Sequence, residues 1–453
     1  MTVGQFKNSK NTHEEQNAPS LAIEYRVLIA ILATAFVTRL FWLWWRPYPI
    51  TGDPRDYLTL ARNLAFYHTF SLNIAENSAF HTTSRAPLYP ELIAALWWGN
   101  SAPLALVKGL QIILGSATAG FVYLLARDRF DRKVATIAAL GMAVAPMSSY
   151  FTGAILGDTL YIFLLTLAFF LWGRRRTVVA GIIFGLAGLT KGTILPFLIM
   201  LPFLGLLPPW RSQWRRYLLM TVIALAVISP WIVRNSIINK RFTLVLSEGW
   251  GQMILFGAIE TPYEDPWTTI RNHPLVKIDE GSTDLLEVDR ARVRRGLNYI
   301  KDHPGDWLVV RLTNQYPRLF IDDGGYVLDF HHVHFGDVFR NPRPFVMLLV
   351  ANKFLFVAGN ILLFLFAAFG LIVERARFVE LSHLTLFPIV LLLNYLPLWI
   401  ETRHSLPMVP SVSIFAAVGV VRCLDYFRAK RRTSDRDKVA VGVTDLDNQP
   451  AVS

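Results

Sequence analysis

Long apolar blocks alternate with short polar connectors along most of the chain. Blocks of roughly 17–25 apolar residues have the length an α-helix needs to cross a hydrocarbon core, and the pattern predicts ten such spans, at about 26–46, 103–126, 134–151, 155–173, 177–190, 193–208, 217–233, 346–373, 382–399 and 405–424. The fold class that follows is an all-α polytopic membrane protein with a span-bearing domain over 26–424.

Arginine and lysine sit in every second connector. Arg127, Arg129, Arg132 and Lys133 follow the second span, Arg174, Arg175 and Arg176 the fourth, and Arg211, Arg215 and Arg216 the sixth. Arg375 and Arg377 follow the eighth; Arg428, Lys430, Arg431 and Arg432 follow the tenth. By the positive-inside rule all five connectors are cytoplasmic, as are both termini. The other, outer side then receives very short links and two long loops, 47–102 and 234–345.

Neither loop reads as disordered. In the first, Tyr57, Leu60, Ala61 and Leu64 fall on one helical face and Arg55, Thr59 and Arg62 on the other, an amphipathic helix suited to lying in the interface. "APLYPELIAALWW" is too short to span and lies beside it. In the second, "VDRARVRRGLNYIKDHPGDWLVVRL" is basic with a helical period up to Pro304, then apolar and aromatic enough to dock at a membrane. Residues 1–25 are polar and no small-residue cleavage pattern follows the first block, so that block is expected to be retained as a span. The tail at 425–453 is basic, then polar, and is expected to be disordered.

Composition agrees. Of 453 residues, 53% are hydrophobic and only 17% charged, with a mean hydropathy of +0.37, too little charge for a soluble domain of this length. The net charge of +12 is accounted for by the connectors, which argues against nucleic acid as a partner. Cys423 is the single cysteine, so neither an intramolecular disulfide nor a cysteine-built metal site is available.

Candidate chemistry collects on the outer side. In "TGDPRDYLTLARNLA", Asp53 and Asp56 open the amphipathic helix; an N-cap with a first-turn acid accounts for both without a function. Asp158 stands at the outer mouth of the fourth span, as a cap or as a functional carboxylate at a costly position. Lys191, in "GLTKG", lies on the side otherwise poor in lysine; it either snorkels or awaits a lipid phosphate. Arg85, Arg234, Glu401, Arg403 and His404 are each plausible surface charges, yet together they set cations beside carboxylates along one membrane face, as an anionic lipid-linked substrate requires. His331, His332 and His334 in "FHHVHFGD" match no common zinc spacing and read as a solvated loop. "LGSATAG" and "FGLAG" read as helix-packing surfaces, and no phosphate-binding glycine loop follows a strand.

The order of these motifs, an Asp after the first span, "RAPLYP", "DTLYIFLLTLAF", "GLTKG", "PWIVRN" and "RHSLPMVPSVSIFAAVG", resembles the polytopic GT-C glycosyltransferases. The resemblance runs from about Val27 to Val421 and points to the bacterial branch related to protein mannosyltransferases and to the aminoarabinose transferase that modifies lipid A. It implies transfer of a hexosyl or pentosyl group from a polyprenyl-phosphate donor to a glycan, lipid or protein acceptor on the outer face of the plasma membrane. Asp53 matches the family's catalytic carboxylate, Lys191 the lysine holding the lipid phosphate, and Asp158 an acid at the mouth of a later span. Many members carry a second acid next to the catalytic one, where this chain has Pro54, so the resemblance does not extend to a metal site built on two adjacent acids. A divalent cation would suit the chemistry but is not established by the sequence. A transporter or flippase would place charges near the midplane, and a glycan polymerase or ligase would differ in using a diphosphate-linked oligosaccharide.

Overall fold

A computed structural model describes residues 9–72, 82–83, 85–243, 249–259, 272–277, 285–320 and 344–447. Every helix-forming block expected from the apolar pattern is helical, and no strand occurs among the described residues. The principal helices are α1 (Ser9–Trp45), α2 (Asp53–Tyr67), α3 (Leu88–Ala95), α4 (Leu104–Arg127), α5 (Arg132–Val144), α6 (Pro146–Thr152), α7 (Asp158–Gly173), α8 (Thr177–Thr190), α9 (Leu195–Leu204), α10 (Trp214–Ile238), α11 (Trp250–Ile259), α12 (Leu285–Asp302), α13 (Pro344–Val373), α14 (Ser382–Asn394) and α15 (Val409–Asp447).

The fold is all-α and polytopic, but the count of ten spans is not confirmed. Among the described residues, four helices are long and apolar enough to cross a bilayer: Ala22–Trp45, Leu104–Arg127, Pro208–Ile238 and Thr402–Arg431. The pair α5–α6, bent by 51°, makes a fifth if it is one span. Several other apolar helices, including Asp158–Gly173, Thr177–Thr190 and Ser382–Asn394, have 10–17 residues; at 1.5 Å per residue a 14-residue helix reaches only about 21 Å. Two further boundaries differ from expectation. α1 begins at Ser9, well before the apolar block at 26–46, and α15 runs on to Asp447 through the tail expected to be disordered.

Many apolar side chains point outward, among them Ile29, Val37 and Trp44 of α1, Val222 and Val233 of α10, and Leu362, Leu365 and Ile372 of α13. A water-soluble protein would not present so many large apolar groups; lipid accommodates them. Lipid also removes the hydrophobic drive between helices, so close packing of small residues must supply it. The α8–α10 crossing shows this. A methyl group at Gly185 would come within 2.5 Å of Val227 Cβ and 2.9 Å of the Ala224 carbonyl, and one at Gly188 within 2.6 Å of Ile228 Cδ1. This contact fixes the end of α8, and Lys191 follows directly.

Two buried polar groups shape the bend between α5 and α7. Pro146 opens α6 at the bend, and Arg39 of α1, 1% exposed, donates to the Ala35 carbonyl at 3.0 Å and to the Ala143 carbonyl near the end of α5 at 3.2 Å. Gln111 of α4 donates 2.7 Å hydrogen bonds to the carbonyls of Thr152 and Ala154, and accepts from the Tyr89 hydroxyl. Buried carbonyls released by the break thus find partners, and the segment that delivers Asp158 is held on both sides.

Candidate functional site

α2 begins where the chain leaves α1. Gly52 occupies the N-cap position with φ +60°, a left-handed conformation that glycine adopts without steric cost. Pro54 then sits in the first turn, where its fixed φ suits a helix start. The expected capping role of Asp53 is not observed: no side chain caps this helix. As the first helical residue, Asp53 instead turns its carboxylate toward two guanidinium groups. Arg85 Nη2 stands 2.7 Å from Asp53 Oδ1 and 2.7 Å from Asp56 Oδ2, and Arg403 Nη2 stands 3.1 Å from Asp53 Oδ2.

The expected amphipathic face of α2 is observed. Leu60 and Ala61 are fully buried, while Arg55 and Arg62 are exposed. Tyr57 lies beneath Arg85, whose guanidinium is 5.7 Å from the ring centroid, and meets Tyr89 of α3 edge-on at 5.1 Å.

A second ion pair stands across from the first group. Asp158 is the first residue of α7 and is 4% exposed. Lys191 has extended backbone (φ −152°, ψ 119°) at the joint after α8, and its Nζ lies 2.6 Å from Asp158 Oδ1. A third segment comes from the turn before α15. Glu401 and His404 form a reciprocal capping box: the Glu401 carboxylate accepts from the His404 backbone and His404 Nδ1 accepts from the Glu401 backbone N–H at 3.1 Å. Glu401 also pairs with Arg403 Nε, and the His404 ring stacks on Tyr395 at 4.9 Å.

Asp53, Arg85, Asp158, Lys191, Glu401, Arg403 and His404 line one cavity of about 310 Å³. Asp56 stands behind Arg85. Neither Asp56 nor Arg234 lines the cavity; Arg234 donates to the Thr82 carbonyl at 3.1 Å and to Asn235 Oδ1 at 2.8 Å, with Trp231 4.2 Å from its guanidinium. His331, His332 and His334 lie outside the described residues.

The opposite wall was not legible from sequence. Trp250, Gln252 and Met253 of α11 face the cavity together with Tyr395, Leu398 and Trp399. The Trp399 N–H donates to the Met253 carbonyl at 2.8 Å, joining the two segments. Arg311 reinforces this wall with hydrogen bonds to the carbonyls of Gly257 (2.8 Å) and Leu398 (2.6 Å). Aromatic residues in a long loop signal docking, but no local spacing says which of them reach a site more than a hundred residues away.

Electrostatically the cavity is a network of exchanged pairs. Burial opposes ionisation of Asp53, but Arg85 and Arg403 outweigh it and hold its carboxyl below the usual value. The Tyr57 phenol is pushed up to about 12, by burial first, and so is a proton donor and not a base at physiological pH. The residues do not fit a divalent cation: both Asp53 and Asp56 are engaged by Arg85, and no group of three or more His, Cys, Asp or Glu among the described residues is placed to hold a metal ion.

Residues 79–233 match the family model described as dolichyl-phosphate-mannose-protein mannosyltransferase. That segment contains Arg85, Asp158 and Lys191; Asp53 and Arg403 lie on either side of it. A comparison with curated protein sequences finds no match. Among solved structures, the apo oligosaccharyltransferase of Archaeoglobus fulgidus is similar over 91% of this chain at 14% identity, TM-score 0.49. The same archaeal protein, as AglB with an inhibitory peptide and a dolichol-phosphate, is similar over 91% at 16% identity, TM-score 0.47. ArnT of Cupriavidus metallidurans bound to undecaprenyl phosphate is similar over 87% at 17% identity, TM-score 0.41. The chain covers 52% and 51% of the two archaeal chains and 77% of ArnT. Over 79–233, about a third of the chain running from α3 into α10, this protein is similar to that mannosyltransferase family, and the matched segment carries "RAPLYP", "DTLYIF" and "GLTKG" in order.

Proposed function

We propose that this protein transfers a single sugar from a polyprenyl-phosphate donor to a glycan, lipid or protein hydroxyl on the outer face of the plasma membrane, with both termini cytoplasmic. The observation that carries the reading is Asp53: one carboxylate, held between Arg85 and Arg403, on a cavity that also holds Lys191. The description of the matching family, a transferase using a dolichyl-phosphate sugar, supports the donor class.

The chemistry needs few groups. An acceptor hydroxyl oxygen forms a bond to the anomeric carbon as the carbon–oxygen bond to the lipid phosphate breaks. The hydroxyl proton passes to Asp53, and the electron pair of the broken bond leaves with the phosphate. Charge builds on the phosphate in an oxocarbenium-like transition state, so cations matter more there than a proton donor. Lys191 and Arg85, assisted by Arg403, receive that charge, while Asp56 and Asp158 support the two cations they touch.

Donor binding and base strength are coupled in this arrangement. A carboxylate clamped by two guanidiniums is a weak base. A donor phosphate that draws Arg85 or Arg403 toward itself loosens the clamp, raises the basicity of Asp53, and readies it only when the donor is present. Glu401 and His404 keep Arg403 in reach through the turn they cap, and Arg234 fixes the outer end of α10.

The test is direct. Purified protein in lipid, given a polyprenyl-monophosphate sugar and an acceptor mixture, should release polyprenyl phosphate and yield one glycosidic product. The envelope of cells lacking the gene should lose one sugar substituent by mass spectrometry. Use of diphosphate-linked oligosaccharides alone would overturn the reading in favour of a ligase, and absence of transfer with either donor would overturn it altogether.

A further inference from the structure

A second cavity, of about 400 Å³, lies between the start of α5 and the far part of α15. Arg132 and Lys133 from α5 and Arg428 from α15 provide its cations, and Ile137, Val421 and Leu424 its apolar wall. Arg428 is 25 residues along the chain from Arg403, which at 1.5 Å per residue places it roughly 37 Å away if helical throughout. This cavity therefore belongs to the opposite membrane boundary, where α4 ends at Arg127 and the Thr402–Arg431 span also ends.

The charges of the cleft do not cancel. Asp425 is the acid that lines it, 3.7 Å from Arg428. Asp131 is occupied as the N-cap of α5, accepting from the Val134 N–H at 2.9 Å, and Arg422 is turned to Glu374 at 3.5 Å. Three cations thus face one acid. Beside them Ile137 and Leu424 are 36% and 45% exposed. Topology signalling alone explains basic residues here, but not an apolar cleft running down from them.

We infer that this cleft binds an anionic diacyl phospholipid, its headgroup phosphate held by Arg132, Lys133 and Arg428 and one acyl chain laid along Ile137, Val421 and Leu424. Basic pockets between helices at a membrane surface take such headgroups, and each nearby cation contributes roughly a fivefold gain in binding. The lipid would tie α5 to α15, the helix that begins next to Arg403, and so brace the bundle from the side away from the sugar chemistry.

Native mass spectrometry of the full chain tests this with phosphatidylglycerol and phosphatidylcholine offered in equal amounts. Wild type should retain phosphatidylglycerol preferentially and gain thermal stability from it. In the triple variant Arg132→Gln, Lys133→Gln, Arg428→Gln the preference should fall on the order of tenfold or more. If the triple variant does not fold, Lys133→Gln alone should lower it by roughly fivefold. Equal retention of the two lipids by wild type, or an undiminished preference in the variant that folds, overturns the proposal. Displacement of the lipid by millimolar inorganic phosphate would also overturn it, because the cleft would then hold a phosphate ion and not a lipid.

Discussion

Lys191 Nζ lies 2.6 Å from Asp158 Oδ1, and Asp158 is the more buried partner, its side chain 6% exposed against 25% for Lys191. The cation proposed for the donor phosphate is therefore already engaged, and its carboxylate partner could not easily stand alone. A substitution at either residue has two effects that must be separated.

Lys191→Met keeps the aliphatic stem and loses the ammonium. A hydrogen bond to a charged group contributes about 1.5–3 kcal/mol, so kcat/KM for the donor should fall roughly 10- to 100-fold. The variant should also lose stability, because Asp158 would be left without its counter-charge in a buried position. The double variant Lys191→Met, Asp158→Asn should recover the melting temperature and not the activity. Wild-type kcat/KM in Lys191→Met would remove this residue from the site.

The clamp on Asp53 predicts a pH effect. Its folded-state pKa is depressed, so the stability it contributes is present above its unfolded value and is lost as pH falls through the lower folded value. The acidic limb of kcat/KM should correspondingly lie below the ordinary carboxylate range. Arg85→Gln removes one guanidinium, so that limb should move up in pH, in addition to any loss of rate. An unmoved limb would show that Asp53 is not the titrating base.

Sidedness is testable in intact cells. With Cys423 replaced by serine, cysteines at Arg62 and Asn298, both exposed, should react with an impermeant thiol reagent, and one at Ser212 should not. Asn63 would be a poor reporter, since it is buried and donates to the Ser71 carbonyl at 2.7 Å. The reverse labelling pattern would invert the topology.

Gly185→Ala should disturb the crossing that carries Lys191. The added methyl meets Val227 Cβ at 2.5 Å and the Ala224 carbonyl at 2.9 Å, and overpacking of this kind typically costs about 1–3 kcal/mol. A lower melting temperature in detergent is expected, with donor KM raised more than for Gly141→Ala, where nothing lies within 4 Å. Equal behaviour of the two variants would mean that the crossing yields freely.

The apolar blocks were enough to read an all-helical membrane fold, because lipid exposure is written as uninterrupted hydrophobic runs. Span number was not, because α8 and α14 are too short to be judged by length and α5–α6 is bent. Asp53, Asp56, Arg85, Asp158, Lys191, Glu401, Arg403 and His404 were all legible as candidates, since a charged residue near the end of an apolar block stands out. Their pairing was not legible: a helix-start Asp reads locally as a cap, and only the fold brings Arg85 and Arg403 to it from 32 and 350 residues away. Trp250 and Trp399 were missed for the same reason, their meeting being set by the Met253–Trp399 backbone hydrogen bond and not by any periodicity.

Asp53→Asn separates a carboxylate that takes the acceptor's proton from one that only holds two guanidinium groups in place. Asparagine is nearly isosteric and cannot act as a base. In the variant Arg85 keeps Asp56 and Arg403 keeps Glu401, and a partly exposed ion pair contributes only about 0–1 kcal/mol, so the fold should persist. Transfer from a polyprenyl-phosphate sugar by purified protein in lipid is the measurement. A melting temperature close to wild type is expected, with the transfer rate reduced on the order of 100-fold or more; transfer at close to the wild-type rate would show that Asp53 is not the base.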